Sequence, residues 1–158
     1  MAKITVEQLF DGILRNNGLK DKGTQLNTYY QKKVVYSMTR LVRKIQGDVP
    51  DRFISYTDNQ EVVKFYFDIM TSLFEGNNNP SRVVVAFAFL LNVMKKYSSD
   101  AQSYDRFYHL SLLVLNHQVE PQVQMLGGWV IIYSSLPYNF HLGHFHSDQF
   151  IRGGTTTL

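Results

Sequence analysis

Apolar residues recur along this chain at helical spacing. Val6, Leu9, Phe10, Ile13 and Leu14 fall at i, i+3, i+4, i+7 and i+8. Thr5-x-x-Gln8 ahead of them is a capping-box pattern, in which each side chain satisfies a backbone donor at a helix start. The pattern predicts an amphipathic helix ending near Gly18, followed by a loop over Asn16 to Thr24, where Asn, Gly, Lys and Asp cluster. Tyr29, Tyr30, Val34, Val35, Met38, Leu41, Val42 and Ile45 then resume the period as far as Gly47, and Gly47-Asp48-Val49-Pro50 stops or bends it.

Asp51 to Tyr56 reads as irregular chain or one helical turn. Asp58-x-x-Glu61 offers another capping box, for a helix bearing Val62, Phe65, Tyr66, Ile69, Met70 and Leu73; Gly76 and Asn77-Asn78-Asn79 close it. Asn79 before Pro80 is an N-cap with proline at the first helical position, and it opens Ser81 to Tyr97, whose centre is apolar on all sides. A helix apolar all round is buried by its neighbours. Ala101 to Asn116 forms the next helix, with Phe107, Leu110, Leu113 and Val114 on one side. Glu120-Pro121 restarts the chain, Gly127-Gly128 interrupts it, and Trp129 to Leu136 is a last apolar segment stopped by Pro137. The expected fold is all-α, about seven or eight helices around one apolar central helix, in a single domain over 1–150 with a loose tail over 151–158.

Composition supports a packed globule: 158 residues are 44% hydrophobic and 18% charged, enough for one core of ordinary size. No cysteine occurs, which excludes disulfides, thiol nucleophiles, iron–sulfur clusters and Cys-containing zinc sites. Sixteen basic against thirteen acidic residues give +3, and the basic residues read as scattered along the chain, so no nucleic-acid partner is expected. The longest apolar run, Val83 to Leu91, is too short to span a bilayer, and Glu7 stands where a signal peptide needs its apolar centre. An intracellular, cytoplasmic setting follows as the expectation.

Enzymatic chemistry finds no signature. None of His109, His117, His141, His144 and His146 stands in a nucleophile-elbow pattern. His141-x-x-His144-x-His146 reads as tail rather than as a metal set, with no carboxylate pair near it. Asp58 with Glu61 and Asp100 with Asp105 sit at helix starts, where carboxylates cap backbone donors. No metal, cofactor or catalytic residue is expected. The informative junction is Asn79-Pro80-Ser81-Arg82-Val83-Val84. Arg82 stands in the first turn of an otherwise apolar helix, where a cation opposes the helix dipole. Either it points to water from a frayed end, or it stands at the rim of a groove and receives a partner's carboxylate.

Asn79-x-Ser81-Arg82-Val83-Val84 followed by Ala86-Phe87-Ala88-Phe89 resembles the first homology motif of the Bcl-2 (B-cell lymphoma 2) family of apoptosis regulators, Asn-Trp-Gly-Arg before an apolar helix. Asn116-His117-Gln118-Val119-Glu120-Pro121 with Gly127-Gly128-Trp129 resembles its second, at the family's separation. Together with the helix order, the resemblance covers about residues 5 to 136. Pro80 stands where the family has Trp and Ser81 where it has Gly; Leu41 to Asp48 resembles the third motif (BH-3) with extra spacing before Gly47-Asp48. No carboxyl-terminal anchor is visible, and the departures look like those of a virus-encoded member.

The resemblance implies an apolar groove that takes the amphipathic BH-3 helix of a pro-apoptotic protein, with apolar anchors and one Asp. Its walls fall on Phe53 and Tyr56, on Phe65, Ile69 and Leu73, and on Val85 and Phe89. Arg82 pairs with the ligand Asp, Asn79 hydrogen-bonds beside it, Ser81 meets the incoming backbone and Leu136 closes one end. Gly127, Gly128 and Trp129 are structural: the glycines let the backbone come close while the indole packs on the central helix. The implied function is that of a survival factor blocking mitochondrial apoptosis without a cofactor. A homodimer and a peripheral association with the outer mitochondrial membrane are compatible with it. The alternatives are a pore-forming death effector, and a scaffold that keeps the fold but closes the groove.

Overall fold

A computed structural model describes residues 3–48, 59–76, 79–129 and 132, and every regular element among them is helical. Helix α1 (Val6–Asn16) starts on the expected box: Thr5 Oγ1 accepts from Gln8 N–H at 3.0 Å, and Gln8 Oε1 accepts from Thr5 N–H at 3.0 Å. Gly18 does not extend the helix but closes it. At φ 72° it lets Leu19 N–H reach Leu14 O at 3.0 Å while its own N–H bonds Arg15 O at 3.1 Å. That pair of bonds satisfies carbonyls the helix end leaves open, and the left-handed φ is one that only glycine adopts cheaply.

Helix α2 (Tyr29–Ile45) has a capping box of its own, Thr28 with Gln31, and runs on into one 3-10 turn at Gln46–Asp48. Helix α3 (Asn59–Phe74) ends before Gly76 at φ 71°. Asn79 caps α4 (Pro80–Lys96) through Oδ1, which accepts from Arg82 N–H at 3.2 Å. Pro80 at the first position gives up a donor that no helix start can pair internally. Helix α5 (Ala101–Val114) is capped by Asp100, whose carboxylate accepts from Gln102 N–H at 3.2 Å and Ser103 Oγ at 2.7 Å.

The expected break at Glu120-Pro121 is replaced by continuous helix. Leu115–Val119 forms one wide π turn that leads directly into α6 (Glu120–Met125). A proline ring crowds the carbonyl four residues back, here His117, and an expanded turn relieves that crowding without ending the helix. Gly127 closes α6 as Gly18 closes α1: its N–H bonds Gln124 O at 3.1 Å and Gly128 N–H bonds Val123 O at 2.9 Å.

Helix α4 contacts each of the other five helices, so it is central, as its all-round apolarity requires. Every residue from Arg82 to Leu91 is buried. The described residues hold five helices of eleven residues or more and the short α6; segment 51–56 and the tail 151–158 lie outside them, and of Trp129 to Leu136 only Trp129 and Ile132 lie inside. No helix among them is long and apolar enough to cross a membrane.

Candidate functional site

Helix α3 turns one side toward α4 and α5. Phe65, Ile69 and Leu73, one turn apart, are exposed by no more than 2%, and Val85 and Phe89 of α4 by no more than 1%. Tyr66 fills the space between the two helices and α5. Its ring meets Phe89 edge-on at 5.5 Å and stacks on Phe107 at 6.2 Å. Burial pushes the Tyr66 phenol well above its ordinary pKa, and the hydroxyl has no hydrogen-bond partner among the described residues.

Arg82 departs from the expected rim position: it is 3% exposed, inside the bundle rather than at its edge. Its place follows from the cap. Asn79 fixes the first turn of α4, and at helical spacing Arg82 shares a face with the buried Val85 and Phe89, three and seven residues on. Asn79, Pro80 and Ser81 remain half-buried. The structure therefore gathers Phe65, Ile69, Leu73, Val85 and Phe89 in one buried core of α3 and α4 and buries Arg82 in the first turn of α4, with Asn79 and Ser81 more accessible beside it. Phe53, Tyr56 and Leu136 lie outside the described residues, as do His141, His144 and His146. No group of three metal-ligating side chains occurs among the described residues.

Open space lies at the C-terminal end of α3, where Met70, Thr71 and Phe74 face His117, Gln118 and Pro121 across a cleft of about 490 Å3. The stretch resembling the second homology motif thus borders a cleft through its π turn. Beyond it, Trp129 is 6% exposed and meets Phe87 of α4 edge-on at 6.0 Å, while its Nε1–H donates to Glu120 Oε2 at 3.1 Å. Gln124 Nε2–H donates to the other Glu120 oxygen at 2.7 Å, so one carboxylate holds both the indole and its own helix. Gly127 and Gly128, with φ of 106° and 98°, turn the chain between them.

Sequence reasoning missed the polar centre of the other side. Asp11, on α1, has no exposed surface, yet its carboxylate accepts from Tyr108 OH at 2.6 Å, from Thr24 N–H at 3.3 Å and from Thr24 Oγ1. Burial, and then the bond to Asp11, raise the Tyr108 phenol. Beside it Tyr104 OH donates to Lys20 O, and burial pushes that phenol up to about 12. Asp105, expected as a cap, instead pairs with Lys22 at 2.7 Å. These contacts fasten the loop after α1 to α5, and Thr24 and Tyr108 stand too far from Asp11 in sequence to be read from its neighbourhood.

Comparison with models of protein families, with curated proteins and with solved structures gives no match for this chain. The likeness to the Bcl-2 family rests on the residues that carry it.

Proposed function

We propose that the chain is a Bcl-2-like survival factor that holds amphipathic BH-3 helices between α3 and α4. The observation that carries the reading is the start of α4. An asparagine-capped, proline-led turn starts the central helix and buries one arginine on it, and the same helix contributes Val85 and Phe89 to an apolar cluster with Phe65, Ile69 and Leu73 of α3. An apolar trough with one cation suits a helix bearing apolar anchors and one aspartate. The burial of these side chains means that the ligand enters by opening the packing rather than by filling a standing groove.

Calorimetric titration with a panel of BH-3 peptides tests this. Saturable binding is expected, weakened by about 2–5 kcal/mol in Arg82→Ala because a desolvated ligand carboxylate loses its partner. Denaturant unfolding of the same variant separates lost affinity from lost fold. Unchanged affinity in a folded Arg82→Ala defeats the assignment.

The same burial favours a second reading, a scaffold whose groove stays closed and which acts through another surface or as a homodimer. Absence of binding to every peptide in the panel, with the chain folded, selects it.

A further inference from the structure

Basic residues that look scattered along the sequence are gathered by α2. At about 100° per residue, Tyr29, Lys32, Lys33, Tyr36, Arg40, Arg43 and Lys44 fall within an arc of about 120°, and all seven are exposed, Tyr29 by 77% and Tyr36 by 60%. The opposite arc, Val34, Val35, Met38, Val42 and Ile45, is buried in the core. From Gly23 to Gly47 there is no Asp or Glu, so these five cations account for more than the whole +3 of the chain. Among the described residues no carboxylate pairs with any of them. Lys33 Nζ lies 5.6 Å from the centre of the Tyr29 ring, and Arg40 Cζ lies 5.8 Å from that of Tyr36.

We infer that this face of α2 docks the protein on an anionic membrane surface. Clusters of four to eight Lys and Arg on an amphipathic helix are attracted by acidic headgroups. Tyrosine rings, apolar in body and polar at the tip, favour the headgroup layer. Shape decides between lipid and nucleic acid. Helix α2 packs its buried arc on the bundle along its length of about 25 Å, so its exposed face forms a long charged ridge that matches a plane of charge better than a short stretch of curved groove. One face of each ring is covered by Lys33 or Arg40, which leaves less ring for single-stranded bases to stack on. The inference is independent of the groove between α3 and α4, because α2 presents this face whether or not that packing opens.

Co-sedimentation of the full chain with vesicles of phosphatidylcholine, alone or with about one third phosphatidylserine, tests it. Binding is expected to the anionic vesicles only, and to fall as salt rises. Each cation near such a surface multiplies partition roughly fivefold, so Lys32→Gln, Arg40→Gln and Lys44→Gln together should lower it about 100-fold. Lys95→Gln with Lys96→Gln, exposed at the far end of α4, should leave it unchanged. Circular dichroism checks that each variant is folded. Tyr36→Trp, in a chain whose one tryptophan is buried, gives a second readout that removes no charge: its emission should shift to the blue on anionic vesicles. Equal binding to both vesicle types, partition unmoved by the triple substitution, or a single-stranded oligonucleotide bound where anionic vesicles are not, would each overturn the proposal.

Discussion

The α1–α2 corner and the α3–α4 packing are both buried, yet they are held by different means. In the first, polar groups are paired: Asn16 Nδ2–H donates to Thr39 Oγ1 across α1 and α2 at 3.2 Å, Asp11 accepts three bonds from Thr24 and from Tyr108 of α5, and two capping boxes close the helix starts. In the second, apolar area supplies the stability, and polar groups are carried at a cost. Tyr66 OH, and Ser111 Oγ on the neighbouring α5, are buried with no hydrogen-bond partner among the described residues. Paired polar groups specify one arrangement, whereas apolar contact tolerates rearrangement. The difference supports placing any opening of the bundle at α3 and α4 and treating α1 with α2 as the fixed frame.

Breaking the frame should give the largest loss. Asp11→Ala leaves the buried Tyr108 OH and the half-buried Thr24 N–H without an acceptor, at about 1–3 kcal/mol each, so a total near 2–6 kcal/mol is expected in urea unfolding. A loss below about 1 kcal/mol would mean that water replaces the carboxylate and that the corner is not the rigid half. Next comes the helix crossing. A Cβ on Gly12 would stand 2.5 Å from Val35 Cγ1 and 3.0 Å from Cγ2, and valine has no rotamer that withdraws both methyls. Gly12→Ala should cost about 1–3 kcal/mol by overpacking, and Val35→Ala in the same chain should recover part of it; purely additive effects would show that the helices simply slide apart.

The frame and the centre are unequally legible in the sequence. The Thr5 and Asn79 caps and the apolar run from Val83 are local patterns, and the structure has them where the spacing puts them. Thr28-x-x-Gln31 is as plain a box, and the period that resumes at Tyr29 directly behind it is the helix the structure has. Asp11 is not legible at all, because its burial depends on Tyr108 from the far half of the chain. The depth of Arg82 is hidden for a related reason: a helical wheel gives direction, but how far a helix end is sunk depends on what packs over it. The π turn escapes because proline reads as a stop, and only a widened turn lets the helix pass it.

Alkali tests how two phenols hold the frame. Tyr104 and Tyr108 anchor the loop after α1 to α5, and burial holds both phenols above their ordinary value, Tyr104 at about 12. A group whose folded pKa exceeds its unfolded one, near 10 for tyrosine, adds stability that is complete below about pH 10 and is lost as pH rises through the folded value. Melting temperature should therefore fall from about pH 10 toward pH 12. Tyr104→Phe should flatten that fall, and an unchanged profile would show that Tyr104 ionises without loosening the frame.

The smallest effect gives the sharpest contrast, because one substitution made in both regions should change sign. Tyr108→Phe removes a donor that Asp11 uses, and should destabilise by about 1–2 kcal/mol. Tyr66→Phe removes a hydroxyl that is buried without a partner, so the desolvation it suffers on folding disappears with it. The phenyl ring left by that substitution keeps the packing on Phe89 and Phe107, and stability should stay level or rise by up to about 1 kcal/mol. If Tyr66→Phe instead costs as much as Tyr108→Phe, the hydroxyl is bonded in solution, and the α3–α4 side is a polar-specified frame like its counterpart.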